Sequence, residues 1–486
     1  MLKKLAEKFS GIADKSYIES EFPFFLLYLR SIATSPISRI DMLKLASEKD
    51  IFEHIAKYLK RIVVLVNVWR YSQAGACEQV ATKVPNKKLK TFLMRFAQSI
   101  NSGEQTSSFI SREYTNYMIE YVDSSERRLE QLKRLSDAYA AVLSSSTFLC
   151  ATTLLSSLML SFKMLLPIII LMVIVISAIL FMITWGIFNA ARPDGILAQV
   201  KIKPRRRVMV EILGIISIFL SFIVSMMIFR MFYKLSYSIA ALGVPILISG
   251  ALGCRYVNRV KECEKHYPTF LRQVSSICAA GIPLVLGFKD VLLVNYGPLN
   301  KPIKRLYAKL NLRIEPRVAW RSFEAEVSSE LIRRINEIFV DTLHSGGDIE
   351  EVADLLESFY SQYVAIRRRR YQIVSYLKGL VVPLHITMAA VLGVIGAYFR
   401  LLAHYMTLIS TIIQFLFIPP LQFIDFYFLL MIVTLSLNNT LAIYASEGDS
   451  RFTLLFYMGL FLLTGCIFYN IIGDLVAKFL SSLSFI

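Results

Sequence analysis

The chain has 486 residues, of which 55% are hydrophobic and 19% charged, with a mean hydropathy of +0.53. That apolarity excludes an ordinary soluble enzyme, while 54 Lys and Arg against 36 Asp and Glu leave a net charge of +18. Nucleic-acid binding accounts for the charge but not the hydropathy, whereas a membrane protein whose loops obey the positive-inside rule accounts for both.

In chain order, the opening MLKKLAEKFSGIADK has no apolar core behind its lysines and does not read as a signal peptide. Residues 1–137 form a charged segment with 22 basic and 16 acidic residues, large enough for its own core. Uncharged runs cover 138–162 and 164–191, give way to a basic loop at 192–211, and resume at 212–229 (the weakest) and 235–254. A second charged segment, 255–378, has 20 basic and 14 acidic residues, and further uncharged runs follow at 379–399, 401–424, 426–446 and 452–473. Each run is 18 to 28 residues long, and about 20 helical residues cross the hydrocarbon layer. Eight transmembrane helices are predicted.

Sidedness follows from the basic residues. The two large segments and the loop 192–211 carry nearly all of them, and only Lys163, Arg230, Lys234, Arg400 and Arg451 fall in the four short turns. Both large segments, that loop and both termini are therefore expected to be cytoplasmic in a protein of the cell membrane. Stretches such as KLKTFLMRFAQSI and SSELIRRINEIFVDTL have helical periodicity, and no convincing strand alternation occurs. The predicted fold is all-α.

The two charged segments repeat one another. Phe22-Pro-Phe-Phe-Leu-Leu-Tyr-Leu-Arg-Ser-Ile32 matches Tyr267-Pro-Thr-Phe-Leu-Arg-Gln-Val-Ser-Ser-Ile277, and FAQSINSG at 96–103 matches FVDTLHSG at 339–346. The expected architecture is two tandem units, each a helical bundle followed by about four membrane helices. After the second Ser-Gly turn, Asp348 stands at an N-cap position with Glu351 three residues on, as in a capping box. Ile349, Val352, Leu356, Phe359, Tyr360 and Tyr363 then recur at helical spacing.

"FPFFLLYLRSIATS" and "YPTFLRQVSSICAAGIPLVLGFKDV", each followed by a helix pair, a Ser-Gly turn and a long helix entering the membrane, resemble the F-protein family of type II secretion and type IV pilus systems. Tandem copies with many spans look more like its archaeal branch, the membrane platform of archaella and archaeal pili. One departure is Pro36 where the second copy has Gly281. The resemblance implies a non-enzymatic platform that binds a hexameric cytoplasmic secretion ATPase, couples its turnover to extraction of pilin or archaellin subunits, and contacts membrane lipids. A homodimer is expected, and nucleic acid is not expected as a partner.

The chemistry agrees. No G-x-x-x-x-G-K-[ST] or H-E-x-x-H occurs, the six cysteines have no C-x-x-C spacing, and no cofactor or metal is expected. Candidate contacts to a partner or to lipid are Arg333 and Arg334, expected to be exposed, the run Arg367, Arg368, Arg369 and Arg370, and Arg205, Arg206 and Arg207 beside the spans. The run serves first as a topology anchor, since each basic residue near anionic headgroups contributes about 1 kcal/mol. Ala389, Gly393 and Ala397, spaced four apart, are candidates for close helix packing against the small residues Ser145, Ser146, Cys150, Thr153 and Ser157. His385, His404, Gln414, Asn438 and Asn439 read first as interhelical hydrogen-bonding groups. A secondary transporter built from parallel repeats is the alternative function, and a membrane-embedded lipid enzyme lacks any visible catalytic set.

Overall fold

A computed structural model describes residues 2–156, 162–192, 195–198, 204–409 and 420–483. Its described residues form α1 (Leu2–Ile32), α2 (Arg39–Ser47), α3 (Glu53–Asn67), α4 (Gln73–Ala81), α5 (Lys87–Asn101), α6 (Thr106–Ser156), α7 (Phe162–Ala191) and α8 (Arg205–Phe232). They continue with α9 (Leu235–Ala279), α10 (Leu284–Val291), α11 (Asn300–Asn311), α12 (Pro316–Val327), α13 (Glu330–His344), α14 (Ile349–Ile409), α15 (Leu421–Glu447) and α16 (Phe452–Leu483). Two 3-10 turns, Asp50–Phe52 and Gly297–Leu299, complete the helices, and no strand forms among the described residues. The chain divides into two compact units: 1–126 with 196–202 and 259–366, and 127–195 with 203–258 and 367–486.

The first unit holds most of the two charged segments. Several of its helices are short and amphipathic, and some of them start on a side-chain cap. The Asn86 carboxamide accepts from the Lys88 and Leu89 amides at 2.9 and 3.1 Å and starts α5, whose Leu89, Phe92, Leu93 and Phe96 turn inward. Ser329 does the same for α13 through the Ile332 amide, at 3.2 Å. The first turn of α3 has no cap of its own; the buried Glu21 carboxylate of α1 accepts from the His54 and Ile55 amides at 3.2 and 3.1 Å. Asp348 caps α14 through the Glu351 amide at 3.0 Å. The reciprocal half of the predicted capping box is absent, because the Asp348 amide donates to Thr34 Oγ1 and the Glu351 carboxylate takes Arg30.

The repeated motifs supply the aromatic centres of this unit. Phe25 packs edge-on against Phe52 and Phe92, and Phe22 against Phe92 and Tyr117. In the later helices, Phe270 meets Phe288, Tyr296, Trp320 and Phe323. Burying each such ring contributes about 1.5–3 kcal/mol, so the two quoted motifs are core-forming stretches. Gly103 and Gly346 end α5 and α13 at φ +72° and +69°, a backbone state that disfavours side chains.

The second unit holds the apolar helices. Six helices among the described residues are long and apolar enough to cross a membrane: α8, α9 and α15, with parts of α7, α14 and α16. The 212–229 run is not the weakest of them, since α8 has a mean hydropathy of 2.7, second only to 3.0 for α7. The 138–162 run occupies the end of α6, and its residues 157–161 lie outside the described residues.

The count of eight spans requires one correction. Lys378 of α14 pairs with Glu447 of α15 at 2.8 Å, and Arg400 of α14 reaches Asp425 of α15 at 3.4 Å, so the two helices are antiparallel neighbours. Arg400 and Asp425 therefore stand at one end of the unit, and the 401–424 run cannot cross between them. Its first nine residues extend α14, its last four open α15, and 410–419 lie outside the described residues. The turn after α15 consequently lies at the Arg367 end: Tyr371 donates to Asp449 at 2.7 Å. Arg451 is thus on the same side as the arginine run, not the opposite one, and the C-terminal end of α16 lies at the Arg400 end, where Tyr469 donates to Asp425 at 2.7 Å. The described end of α16 and the arginine run thus stand at opposite ends of the second unit, whereas the sequence expectation put the C-terminus on the arginine side. A composition scan cannot distinguish a crossing from a helix that overshoots and returns.

Candidate interaction surface

Arg333 and Arg334 do not stand exposed. Arg333 is buried and forks onto Glu330 (2.9 and 2.6 Å); Arg334 bonds the same carboxylate at 2.8 Å. Arg334 also lies over the Phe24 ring at 4.7 Å and reaches the Ser20 carbonyl at 3.4 Å. Phe24 in turn meets Phe359 and Tyr363. The reason is the helix itself: residues three and four apart share a face, and that face of α13 turns inward onto α1. Burial pushes the Glu330 carboxyl up, but hydrogen bonding from Arg333 and both arginine charges outweigh it and hold it below the usual range.

The rest of α13 continues this buried polar seam. Lys49 Nζ lies 2.5 Å from Asp341 and 4.0 Å from Glu337, and Tyr28 donates to Asp341 at 3.3 Å. Asn336 donates to the buried Glu324, whose carboxyl burial pushes up to about 8. Burial also raises Glu337. The seam joins residues 20–50 to residues 324–341, hundreds of positions apart in sequence, and no local pattern announces it.

A strap adds a second unpredicted contact. Between α7 and α8 the chain runs back into the first unit, where the Ala198 amide donates to the Ser328 carbonyl and the Glu330 amide to the Ile196 carbonyl, each at 2.9 Å. Leu197 and Ser329 form an isolated antiparallel bridge, and Ile196 and Ala198 are fully buried. The basic loop is therefore anchored by its backbone beside the first turn of α13.

The remaining basic candidates divide by exposure. Arg368 and Arg369 are exposed, while Arg367 and Arg370 turn inward on the next helical face, Arg370 3.9 Å from Asp449 and over Tyr371 at 5.6 Å. Arg205 and Arg206 are exposed at the start of α8; Arg207 pairs with Glu211 at 3.1 Å. Five of the nine arginines are thus tied into ion pairs or buried, and four are exposed: Arg205, Arg206, Arg368 and Arg369.

Ala389, Gly393 and Ala397 are buried. The described partner of Gly393 is α16: a Cβ there would come within 2.6 Å of the Tyr469 carbonyl oxygen and 3.1 Å of the Gly473 amide. Near mid-span, His385 contacts the Phe461 carbonyl at 3.0 Å and Asn439 at 3.2 Å, while Tyr139 donates to Asn439 at 2.8 Å. Asn438 donates to Ser177 at 3.1 Å. These polar groups are used in binding helices to one another. Gln414 and the His404 side chain lie outside the described residues. Among the described residues no group of His, Cys, Asp and Glu is arranged to hold a metal ion.

Comparison with known proteins places this arrangement. The family of type II secretion system protein F matches residues 270–399, from the Phe270 aromatic centre through the membrane entry of α14. The chain is 25% identical over 464 residues to the flagella accessory protein J of Methanocaldococcus jannaschii, covering 92% of this chain and 82% of that one. It is 27% identical over 390 residues to the flagella accessory protein J of Methanococcus voltae, covering 75% and 68%. An uncharacterized M. jannaschii protein is 21% identical over 371 residues, covering 69% and 61%. No solved structure matches the chain. The chain is a multi-pass membrane protein similar over most of its length to the archaeal flagella accessory J proteins, and its residues 270–399 match the type II secretion system F family.

Proposed function

We propose that the protein is the non-enzymatic membrane platform of an archaellum- or type IV pilus-like assembly machine. The observation that carries this reading is likeness along 92% of the chain to a flagella accessory J protein, joined to an F-domain match over one helical bundle and its membrane entry. In this reading the first unit is two F-like helical bundles in the cytoplasm, and the second is the membrane part. A hexameric secretion ATPase docks on the bundles, and its turnover is coupled to extraction of pilin or archaellin subunits from the bilayer. Exposed Arg205, Arg206, Arg368 and Arg369 rest against anionic headgroups and fix the inside face.

Deletion of the gene should abolish a surface filament, and the purified protein in lipid nanodiscs should bind the partner ATPase of the same organism. Normal filaments after deletion would refute the platform role. Solute uptake into proteoliposomes lacking any ATPase would replace it with a transporter.

A further inference from the structure

Two loops of the first unit share an unusual design. Each follows the third helix of its bundle, α3 or α11. Each places one arginine in the left-handed backbone region, Arg70 at φ 55° and Arg313 at φ 57°. Exposed apolar side chains flank both arginines: Trp69 and Tyr71 in one loop, 69% and 46% accessible, and Leu312 and Ile314 in the other, 73% and 37% accessible. The arginines themselves are exposed.

Stability does not explain these choices. Left-handed backbone favours glycine, and Gly103, Gly281 and Gly346 occupy that region at other helix ends of the same unit. The arginines are kept where glycine would fit better, beside large apolar groups left in water. Trp, Tyr and Arg are the residues that dominate binding hot spots, and non-glycine residues in this backbone state concentrate at functional sites. The flanking sequence is predominantly basic, although Arg305 of α11 pairs with Glu326 of α12 at 2.6 Å. Residues 53–71 contain four basic residues and one acidic, and residues 300–321 contain seven basic and one acidic.

We infer that the Trp69-Arg70-Tyr71 and Leu312-Arg313-Ile314 loops are a duplicated pair of docking tips for an acidic protein surface, each tip pressing an arginine between two apolar contacts. The inference rests on the platform reading, which makes the assembly ATPase the occupant. A symmetric oligomer offers the same acidic patch more than once, which suits a receptor that carries two equivalent tips. Apolar contacts set the lifetime of such a complex, and the basic helices behind the tips set its on-rate and salt dependence.

The test uses the full-length protein in nanodiscs and the ATPase of the same organism. Arg70→Gly combined with Arg313→Gly relieves the backbone, so thermal stability should hold or rise while ATPase binding weakens about tenfold or more. Trp69→Ser combined with Leu312→Ser should weaken it similarly, with little effect of salt on the ratio. A photo-crosslinker in place of Trp69 or Leu312 should capture the ATPase in native membranes. If wild type binds and both double variants bind equally well, the tips are refuted and the platform reading stands. If wild type fails to bind, the platform reading falls and the inference with it. Cross-links into lipid alone would overturn the protein partner, because the loops would then be membrane contacts.

Discussion

Removing Lys49 tests whether the polar seam on α13 holds the two bundles of the first unit together. Its ammonium lies 2.5 Å from Asp341 and 4.0 Å from Glu337, with the Lys49 and Asp341 side chains only 13% and 7% accessible. Lys49→Ala leaves two carboxylates side by side in a poorly hydrated site. Breaking a buried pair by deleting one partner costs about 3–5 kcal/mol, and proton uptake by one carboxylate caps the loss near the low end. We expect about 3 kcal/mol, or roughly 6–12 °C in midpoint for a unit of this size. Thermal unfolding of the purified protein measures it. Lys49→Met combined with Asp341→Asn should recover most of the loss, since both charges then go together. A shift of under about 3 °C for Lys49→Ala, with no recovery in the double variant, would show that the seam carries no net stabilisation.

Three further outcomes follow from the same structure. Glu324 has its folded pKa raised to about 8 from 4.5 by burial; its contribution is full below about pH 4.5 and lost as pH rises through 8, so Glu324→Gln should flatten the fall in melting temperature between pH 6 and 9. At Gly250 a Cβ would sit 2.3 Å from the Phe456 amide nitrogen of α16; Gly250→Ala should leave insertion intact but lower the melting midpoint by several degrees, and an unchanged midpoint would place α9 and α16 further apart than described. An impermeant thiol reagent applied from one side should label only one of Arg451→Cys and Tyr233→Cys in a chain otherwise free of cysteine; labelling of both together would refute the corrected topology. Cys263 is unsuitable for such mapping, because it is buried and burial pushes its thiol up to about 11.

The helical class, the apolar spans and the core faces were legible because each is periodic or contiguous over ten or more residues. The repeated motif aligned Phe25 with Phe270, and the structure puts each at the centre of an aromatic cluster. The α13 arginines were misread because Arg333 and Arg334 look solvated until one knows that α1 covers their face. The 401–424 run was misread because apolarity reports solvent, not direction; the Lys378–Glu447 and Arg400–Asp425 pairs show that α14 and α15 run antiparallel, with Arg400 and Asp425 at one end. Lys49 to Asp341 and Arg30 to Glu351 join residues about three hundred apart, where no spacing rule reaches. The docking loops were visible as letters but not as a pair, since their likeness lies in backbone angle and exposure.

The strap between α7 and α8 has a consequence for how this protein can change over time. It is held by peptide groups: an amide and a carbonyl from residues 196–198 meet a carbonyl and an amide from Ser328 and Glu330. Every non-proline residue supplies those groups, so the strap's letters can drift while its tether persists. Proline at 198 is the exception, because it removes the donating amide. Two descendants could therefore share this anchorage with no identical residue in it. Comparing their sequences would align the membrane helices on either side and leave the tether between them looking like an ordinary variable loop.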